Sequence, residues 1–183
     1  FVDAVSDYKS DFVLFPEYFN APLMAKFNHL GEAQSIRGLA QYTEEVRDRF
    51  INLAISYNIN IITGSMPYVK EDGGLYNVGF LVRRDGSYEM YEKVHVTPDE
   101  IKSWGLSGGK MVQTFDTDCA KIGILICYDV EFPELSRIMA DQGMQILFVP
   151  FLTDTQNGYS RVRVCAQARA IAVSYTHLRA HET

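Results

Sequence analysis

Apolar and polar positions follow one another along the chain in two periods, one typical of buried strands and one typical of amphipathic helices. Short apolar runs predict strands at residues 11–15, 60–63, 122–126 and 144–150. Apolar residues spaced three and four apart predict helices at residues 1–8, 42–57, 134–143 and 159–172. Strands and helices therefore follow one another through most of the sequence, which is typical of a layered α/β fold.

Turn signals agree with this order. Asp85 and Gly86 separate two extended runs, residues 75–82 and 88–96, and Asp-Gly between such runs favours a tight β-hairpin. Asn58 is expected to end the helix at residues 42–57. No repeat, linker or low-complexity stretch interrupts the pattern, so we predict a single α/β domain built as a layered sandwich.

Composition narrows the possible partners. The 183 residues are 47% hydrophobic, which is enough for one substantial core. A formal net charge of −6 without a basic run argues against nucleic acid and against an anionic membrane surface. The apolar runs are too short to span a bilayer and no signal-peptide pattern is visible, so we expect a soluble cytoplasmic protein. Three cysteines without metal-ligand spacing predict free thiols, no disulfide framework and no metal.

Both ends of the sequence look truncated. The chain opens without methionine in an amphipathic pattern that is already under way, as though a helix had begun earlier. Residues 173–183 resemble the translation of a sequencing-library adaptor, and we expect them to be non-native. We therefore assign residues 1–172 to one partial domain, and we give His177 and His181 no metal-binding role.

A candidate nucleophile stands where the run at residues 122–126 stops. Cys127 follows this buried strand, and Pro133 then opens a helix. A strand, a sharp turn and a helix together expose a side chain and direct backbone N–H groups at whatever it attacks. Among the three cysteines, this position favours Cys127 as a nucleophile, although most cysteines in strands are simply small buried side chains.

A nucleophilic thiol needs a base and an oxyanion donor, since a free thiol of pKa about 8.5 is mostly protonated at neutral pH. Glu17 follows the predicted strand at residues 11–15, and Lys93 lies late in the predicted hairpin strand, so both are expected at the sheet edge that carries Cys127. Each could equally be a solvated surface charge.

Three sequence motifs carry a resemblance. The segments FPE at residues 15–17, EKVHVTP at residues 92–98 and ILICYDVEFP at residues 124–133 are similar, in content and order, to the motifs of the carbon-nitrogen hydrolase family, also called the nitrilase superfamily. The resemblance covers residues 1–172 and is nearest to the amidase-type branch. It implies an αββα sandwich and a Glu-Lys-Cys triad, with Glu17, Lys93 and Cys127 at the matching positions.

The resemblance also implies supporting residues and partners. Glu100 matches a further glutamate that would hold Lys93, although it could simply cap a helix. A homodimer or larger homo-oligomer is implied, and one branch of the family carries a fused acetyltransferase domain, which here would lie outside this sequence. No cofactor is implied.

The predicted chemistry is hydrolysis of a non-peptide carbon-nitrogen bond through a thioester on Cys127. Glu17 would move the proton, and Lys93 with the backbone N–H of Tyr128 would hold the oxyanion. An amide or an N-carbamoyl compound would fit as the small-molecule substrate. Nitrile hydrolysis, a non-catalytic binding pseudoenzyme and an inactive fragment remain alternatives.

Substrate contacts are less well defined by the sequence. Residues near the predicted elbow and in the loop after the strand at residues 144–150 are candidates, namely Tyr18, Trp104, Phe151, Thr153 and Asp154. His95 is interpreted as a structural histidine, and Asp129 and Glu131 as caps of the following helix. Arg161 is interpreted as a helix-surface or ion-pair residue that could otherwise bind an anionic substrate.

Overall fold

Two β-sheets that share a core between them dominate the computed structural model, which describes residues 1–173 and 176–179. The first sheet contains the strands β1 (Phe12–Leu14), β2 (Asn60–Ile62), β3 (Met66–Val69), β4 (Leu75–Val82), β5 (Tyr88–Glu92) and β6 (Leu106–Ser107). The second sheet contains β7 (Thr114–Asp116), β8 (Lys121–Ile124), β9 (Ile146–Val149) and β10 (Thr176–Arg179).

The strand pairing is mixed in both sheets. The first sheet runs in the order β1, β2, β4, β3, and both β5 and β6 also pair with β4. The second sheet runs β10, β9, β8, β7, with β8, β9 and β10 parallel and β7 antiparallel to β8. The buried parallel strands β8 and β9 come from nearly continuous apolar runs, as expected for strands that are covered on both faces.

Helices cover the outer faces of the two sheets. Apolar residues of α1 (Val2–Asp7) and α3 (Thr43–Tyr57) pack against the first sheet. Those of α4 (Pro133–Asp141) and α5 (Gln156–Val173) pack in the same cluster as the second sheet. The helix α2 (Glu32–Leu39) contributes to a third, smaller cluster with Tyr18 and Leu106. The layers follow the order helix, sheet, sheet, helix, which is the predicted sandwich.

Side chains from the two sheets meet in the central layer. Phe12 of β1 contacts Phe148 of β9 with ring centroids 5.1 Å apart, and Tyr91 of β5 contacts Phe115 of β7 at 6.3 Å. Ile122 of β8 is fully buried between them. Burying side chains of this size stabilises a fold by roughly 1.5–3 kcal/mol each, so this layer fixes the sheets face to face.

Most predicted elements are confirmed, with shifted ends. Asn58 ends α3 in the left-handed conformation, with φ at 49°. The hairpin between β4 and β5 forms, but the second strand ends at Glu92 rather than at residue 96. The strand stops early because the backbone N–H groups of Val94 and His95 donate to the carboxylate of Asp129 instead of to a neighbouring strand.

Several short elements were not predicted. These are α2, β3, β6 and β7, two 3-10 helices (Ala21–Phe27 and Ala40–Tyr42) and a π-helical turn (Glu100–Trp104). At the other end, β10 pairs with β9 in parallel within the segment predicted to be non-native. Residues 174, 175 and 180–183 of that segment, including His181, lie outside the described residues.

One glycine contact links the first sheet to the chain after β1. Gly64 has φ at +68°, and a Cβ atom added there would lie 1.9 Å from the carbonyl oxygen of Pro16. Gly73 has a similar φ of +76°, but an added Cβ would meet nothing within 4 Å. The two glycines therefore share a backbone requirement, but Gly64 is buried against the neighbouring chain whereas Gly73 is exposed.

We predict that Gly64→Ala lowers the free energy of unfolding by about 2–5 kcal/mol, because it combines left-handed strain with a steric clash. Gly73→Ala should cost only about 1–2 kcal/mol, which is the strain alone. Urea unfolding of both variants measures the difference. Equal losses would show that the approach of Pro16 to Gly64 is not a constraint.

Candidate active site

The turn after β8 holds Cys127 in a strained conformation. The chain from Ile124 to Cys127 continues beside the extension of β9, since the N–H of Leu125 donates to Phe148 O (3.0 Å) and that of Cys127 to Pro150 O (2.9 Å). Cys127 has φ at +49°, which is unusual for a residue with a side chain and typical of functional turns. A 3-10 turn (Cys127–Glu131) then leads into α4. The predicted elbow is present.

Glu17 lies three residues after β1, beyond Pro16 as predicted, and is 2% exposed. Its Oε1 atom accepts hydrogen bonds from Asn77 Nδ2 at 2.9 Å and from Lys93 Nζ at 2.8 Å. Its Oε2 atom accepts one from the backbone N–H of Leu152 at 3.0 Å. These three donors come from three different segments of the chain, so the orientation of the carboxylate is fixed.

Lys93 follows the last residue of β5 and is also 2% exposed. Its ammonium group contacts Glu17 at 2.8 Å and both carboxylate oxygens of Glu100 at 2.8 and 2.9 Å. Burial by itself would lower the pKa of Lys93, but the charges of Glu17 and Glu100 outweigh it and raise the pKa above its usual value. The side chain therefore stays an ammonium ion.

Glu100 lies in the π-helical turn and is nearly buried. Besides Lys93, its carboxylate accepts hydrogen bonds from the N–H of Thr97 at 2.7 Å and from the hydroxyl of Tyr18 at 3.0 Å. The predicted contact with the lysine and the alternative capping role are both present, because the N–H of Glu100 in turn bonds to Thr97 Oγ1 at 3.3 Å. Glu100 thus ties Lys93 to the turn that begins at Thr97.

The thiol of Cys127 lies within this set of charges and is 8% exposed. Burial and the negative charge of Glu17 raise the pKa of Cys127 well above its ordinary value. The nearby ammonium of Lys93 acts in the opposite direction and only partly offsets this increase. The sulfur is therefore a neutral thiol at neutral pH, and it contacts Leu152 O at 3.7 Å.

A cavity of about 1050 Å³ opens over Cys127, Glu17 and Lys93. Four of the five predicted substrate-binding residues line it, namely Tyr18, Trp104, Thr153 and Asp154. Tyr18 and Trp104 pack edge to face with centroids 5.4 Å apart. Phe151 does not line the cavity, since it is 1% exposed and packs in the core near Tyr159. Tyr128, whose N–H directly follows Cys127, also borders the cavity.

The predicted helix caps make other contacts. Asp129 is buried and accepts hydrogen bonds from the N–H groups of Val94 (3.1 Å) and His95 (2.7 Å), with His95 Nδ1 at 3.1 Å. Burial raises the pKa of Asp129 to about 6, although these N–H donors act to lower it. The ring of His95 stacks on Phe132, so this histidine is structural, as predicted.

Glu131 does not cap α4 either. Its Oε1 atom accepts a hydrogen bond from Nε of Arg161 on α5 at 3.1 Å, so Arg161 is an ion-pair residue as predicted. The first residue before α4, Phe132, provides no side-chain cap. Sequence reasoning also missed Asn77, whose place inside β4 carries no local signal for contact with a residue 60 positions earlier.

Two further features concern ligands and membranes. Within residues 1–173, no three histidine, cysteine, aspartate or glutamate side chains come together as a metal site would require. None of the helices in the same part of the chain is both long enough and apolar enough to cross a bilayer.

Comparison with known proteins identifies the family. The pattern of the Carbon-nitrogen hydrolase family matches residues 1–180. The probable hydrolase YhcX of Bacillus subtilis is 50% identical over 171 residues, which cover 93% of this chain and 33% of YhcX. The omega-amidase NIT2 of Homo sapiens is 30% identical over 184 residues, which cover 93% of this chain and 62% of NIT2. The chain therefore spans one third to about three fifths of these relatives.

Solved structures share the fold. Nit3 of Saccharomyces cerevisiae, a member of branch 10 of the nitrilase superfamily, superposes with a TM-score of 0.79 at 22% sequence identity. The superposition covers 100% of this chain and 70% of the Nit3 chain. An amidase from Nesterenkonia sp. AN1 gives a TM-score of 0.80 at 23% identity, with 98% and 68% covered. The predicted αββα sandwich is confirmed. Because the family pattern extends over nearly the whole sequence, the chain belongs to the carbon-nitrogen hydrolase family.

Proposed function

We propose that the chain hydrolyses a non-peptide carbon-nitrogen bond in a small amide or N-carbamoyl compound through a thioester on Cys127. The observation that carries this proposal is the buried ammonium of Lys93, which is held between Glu17 and Glu100. It lies beside the neutral thiol of Cys127, a residue with a strained backbone at the floor of the cavity. Charged groups are buried at a cost unless each is paired, and perturbed groups in a cleft mark functional sites.

Glu17 is assigned the role of general base. The thiol of Cys127 is protonated in the resting site, so attack on the amide carbon requires transfer of its proton as the carbon-sulfur bond forms. The carboxylate of Glu17 lies close enough to the thiol for its charge to raise the pKa of Cys127, and it is oriented by Asn77 and Leu152. It then passes the proton to the departing nitrogen, which leaves as ammonia or an amine.

Lys93 and the backbone N–H of Tyr128 are assigned to the oxyanion. Two carboxylate partners fix the position of the ammonium group. The low dielectric of a buried site strengthens the attraction between this group and the oxyanion. Water that enters after the amine leaves is deprotonated by Glu17 and attacks the thioester. The carbon-sulfur bond then breaks, and Glu17 returns the proton to the sulfur. An amide gives a carboxylic acid and a carbamoyl group gives carbamic acid, and the free thiol of Cys127 is restored without a cofactor.

The relatives support amide substrates. NIT2 is named an omega-amidase, and a protein of Synechocystis that is 34% identical over 131 residues is named a deaminated glutathione amidase. The proposal extends to a homodimer or larger assembly in the cytoplasm. An acetyltransferase domain, if the protein has one, would lie outside residues 1–172. Residues 173–183 are proposed to be non-native.

We predict that Cys127→Ala lowers amide hydrolysis by at least about a thousandfold, because the thioester cannot form. Glu17→Gln should lower it about 10²- to 10⁴-fold, the usual contribution of a general base. Ammonia release from a panel of primary amides and carbamoyl compounds measures both. Mass spectrometry of quenched reactions should find an acyl group on Cys127, and Cys165→Ala, a partly buried cysteine on α5, is the control. Turnover that persists in Cys127→Ala would refute the scheme.

We predict that Lys93→Met lowers the free energy of unfolding by about 3–5 kcal/mol at pH 7, because it leaves two buried carboxylates facing each other without a cation. Uptake of a proton by the folded variant would relieve this repulsion, so the variant should recover stability as the pH falls from 7 to 5. Urea unfolding at both pH values tests this. The exposed Lys102, changed to Met, should show neither effect.

Asp129 is proposed to position Lys93 by accepting hydrogen bonds from the backbone N–H groups of Val94 and His95, the two residues that follow Lys93. Its folded pKa of about 6 lies above the usual aspartate value because of burial, so the folded protein binds this proton more tightly than the unfolded chain does. The contribution of Asp129 to stability is therefore greatest below pH about 4 and falls as the pH rises to about 6.

We predict that the stability difference between the parent and Asp129→Asn declines by about 1–3 kcal/mol between pH 4 and 6, and is flat above pH 7. Urea unfolding across this range measures the decline. The exposed Asp141, changed to Asn, should give a difference that does not vary in this way. A pH-independent difference for Asp129 would show that it does not titrate near 6.

A further inference from the structure

The charges that line the cavity over Cys127 are strongly unbalanced. Among the described residues, the only cations on its wall are Lys93 and Arg161. Six carboxyl groups oppose them, which gives the lining a formal charge of −4; these are Glu17, Glu32, Asp99, Glu100, Glu131 and Asp154. Such a cleft concentrates cations and repels anions.

The floor of the cavity contributes to this excess. The ammonium of Lys93 is shared by the carboxylates of Glu17 and Glu100, and the thiol of Cys127 is neutral, so this buried group carries a formal charge of −1. Salt screens buried charges much less than exposed ones. A negatively charged substrate would therefore meet repulsion where its amide has to bind.

Arg161 does not reverse this sign. Its guanidinium is paired with Glu131 at 3.1 Å, and its side chain is 58% exposed whereas that of Glu131 is 19% exposed. The carboxylate is thus the less exposed partner, and it belongs to the same short turn as Cys127. Glu32, Asp99 and Asp154 are exposed on the cavity wall, and within the described part of the chain none of them has an ion-pair partner.

We propose that the substrate of this site carries a primary ammonium group in addition to its amide, and that Glu131 binds that group in place of Arg161. The inference rests on the proposed function and names its substrate class. Arg161 can give up its partner at low cost, because its side chain already lies mostly in solvent.

The position of Glu131 guides the choice of probes. Glu131 follows Cys127 by four residues within one 3-10 turn, and the backbone of a regular 3-10 helix rises about 8 Å over four residues. We therefore choose amides with a chain of about four methylene groups between the amide carbon and the terminal group. The matched probes are 5-aminopentanamide, its neutral counterpart hexanamide and its anionic counterpart adipic acid monoamide.

The experiment measures kcat/KM of the full chain for the three amides at low and high salt. We expect 5-aminopentanamide to exceed hexanamide by at least about tenfold at low salt, with a smaller ratio in 0.5 M NaCl, and adipic acid monoamide to be the poorest substrate. Glu131→Gln should reduce the ratio of cationic to neutral turnover several-fold. Glu134→Gln removes the same charge three residues later, outside the cavity, and should leave the ratio intact.

Arg161→Gln should change the ratio of cationic to neutral turnover in the direction opposite to Glu131→Gln. Freeing Glu131 from its partner should raise the ratio of cationic to neutral turnover, whereas a site that used Arg161 to bind carboxylates would lose turnover of adipic acid monoamide. Hydrolysis of hexanamide without a preference for the cation, or a preference for the anion, would overturn this inference and leave the proposed function intact. Hydrolysis of none of the amides would overturn both.

Discussion

The buried ammonium of Lys93 is the interaction on which the rest of the site depends. A charge that is 2% exposed is stable only when its donors are satisfied, and three carboxylate oxygens from two residues do this. Those two residues come from the end of β1 and from the π-helical turn after β5, so one cation fixes the relative positions of two distant segments. The anchoring of Glu17 by Leu152 extends the same constraint to the loop after β9.

Two of the four described non-glycine residues with a positive φ lie beside this ion pair. Cys127 and Tyr18 both have φ at +49°, one directly at the thiol and the other directly after Glu17. Conformations of this kind cost of order 1–3 kcal/mol each and persist only where surrounding packing determines them. Here the packing comes from the two sheets, whose shared core holds the ends of β1 and β8 at one edge. The apolar sandwich therefore stabilises a polar, strained site that could not form in an isolated hairpin.

The sequence predicted the parts of this arrangement that have local signals. The layered order follows from hydrophobic period, and Glu17 and Cys127 were placed correctly because each directly follows an apolar run. The contacts of Asp129 and Asn77 were not predicted, because their partners are 35 and 60 residues away in the sequence. The predicted β5 was too long for the same reason. The apolar residues Val94 and Val96 continue the strand pattern in the sequence, but the N–H groups of Val94 and His95 donate to Asp129 instead of to a strand. Phe151 was assigned to the cavity because the loop that begins with this residue borders the cavity. Its apolar ring is instead buried in the core.

In the proposed mechanism, the charges around Cys127 determine at which step its thiol loses the proton. Burial, and next the negative charge of Glu17, make a negative charge on the sulfur unfavourable, which is why the pKa of Cys127 is raised. A thiol of this kind is a poor target for oxidants and alkylating agents, because the thiolate is the reactive form. When an amide carbon is in place, the proton moves to Glu17 and the charge passes to the substrate oxygen, next to Lys93. The arrangement that suppresses the free thiolate therefore still stabilises the tetrahedral intermediate, because the negative charge forms on oxygen and not on sulfur.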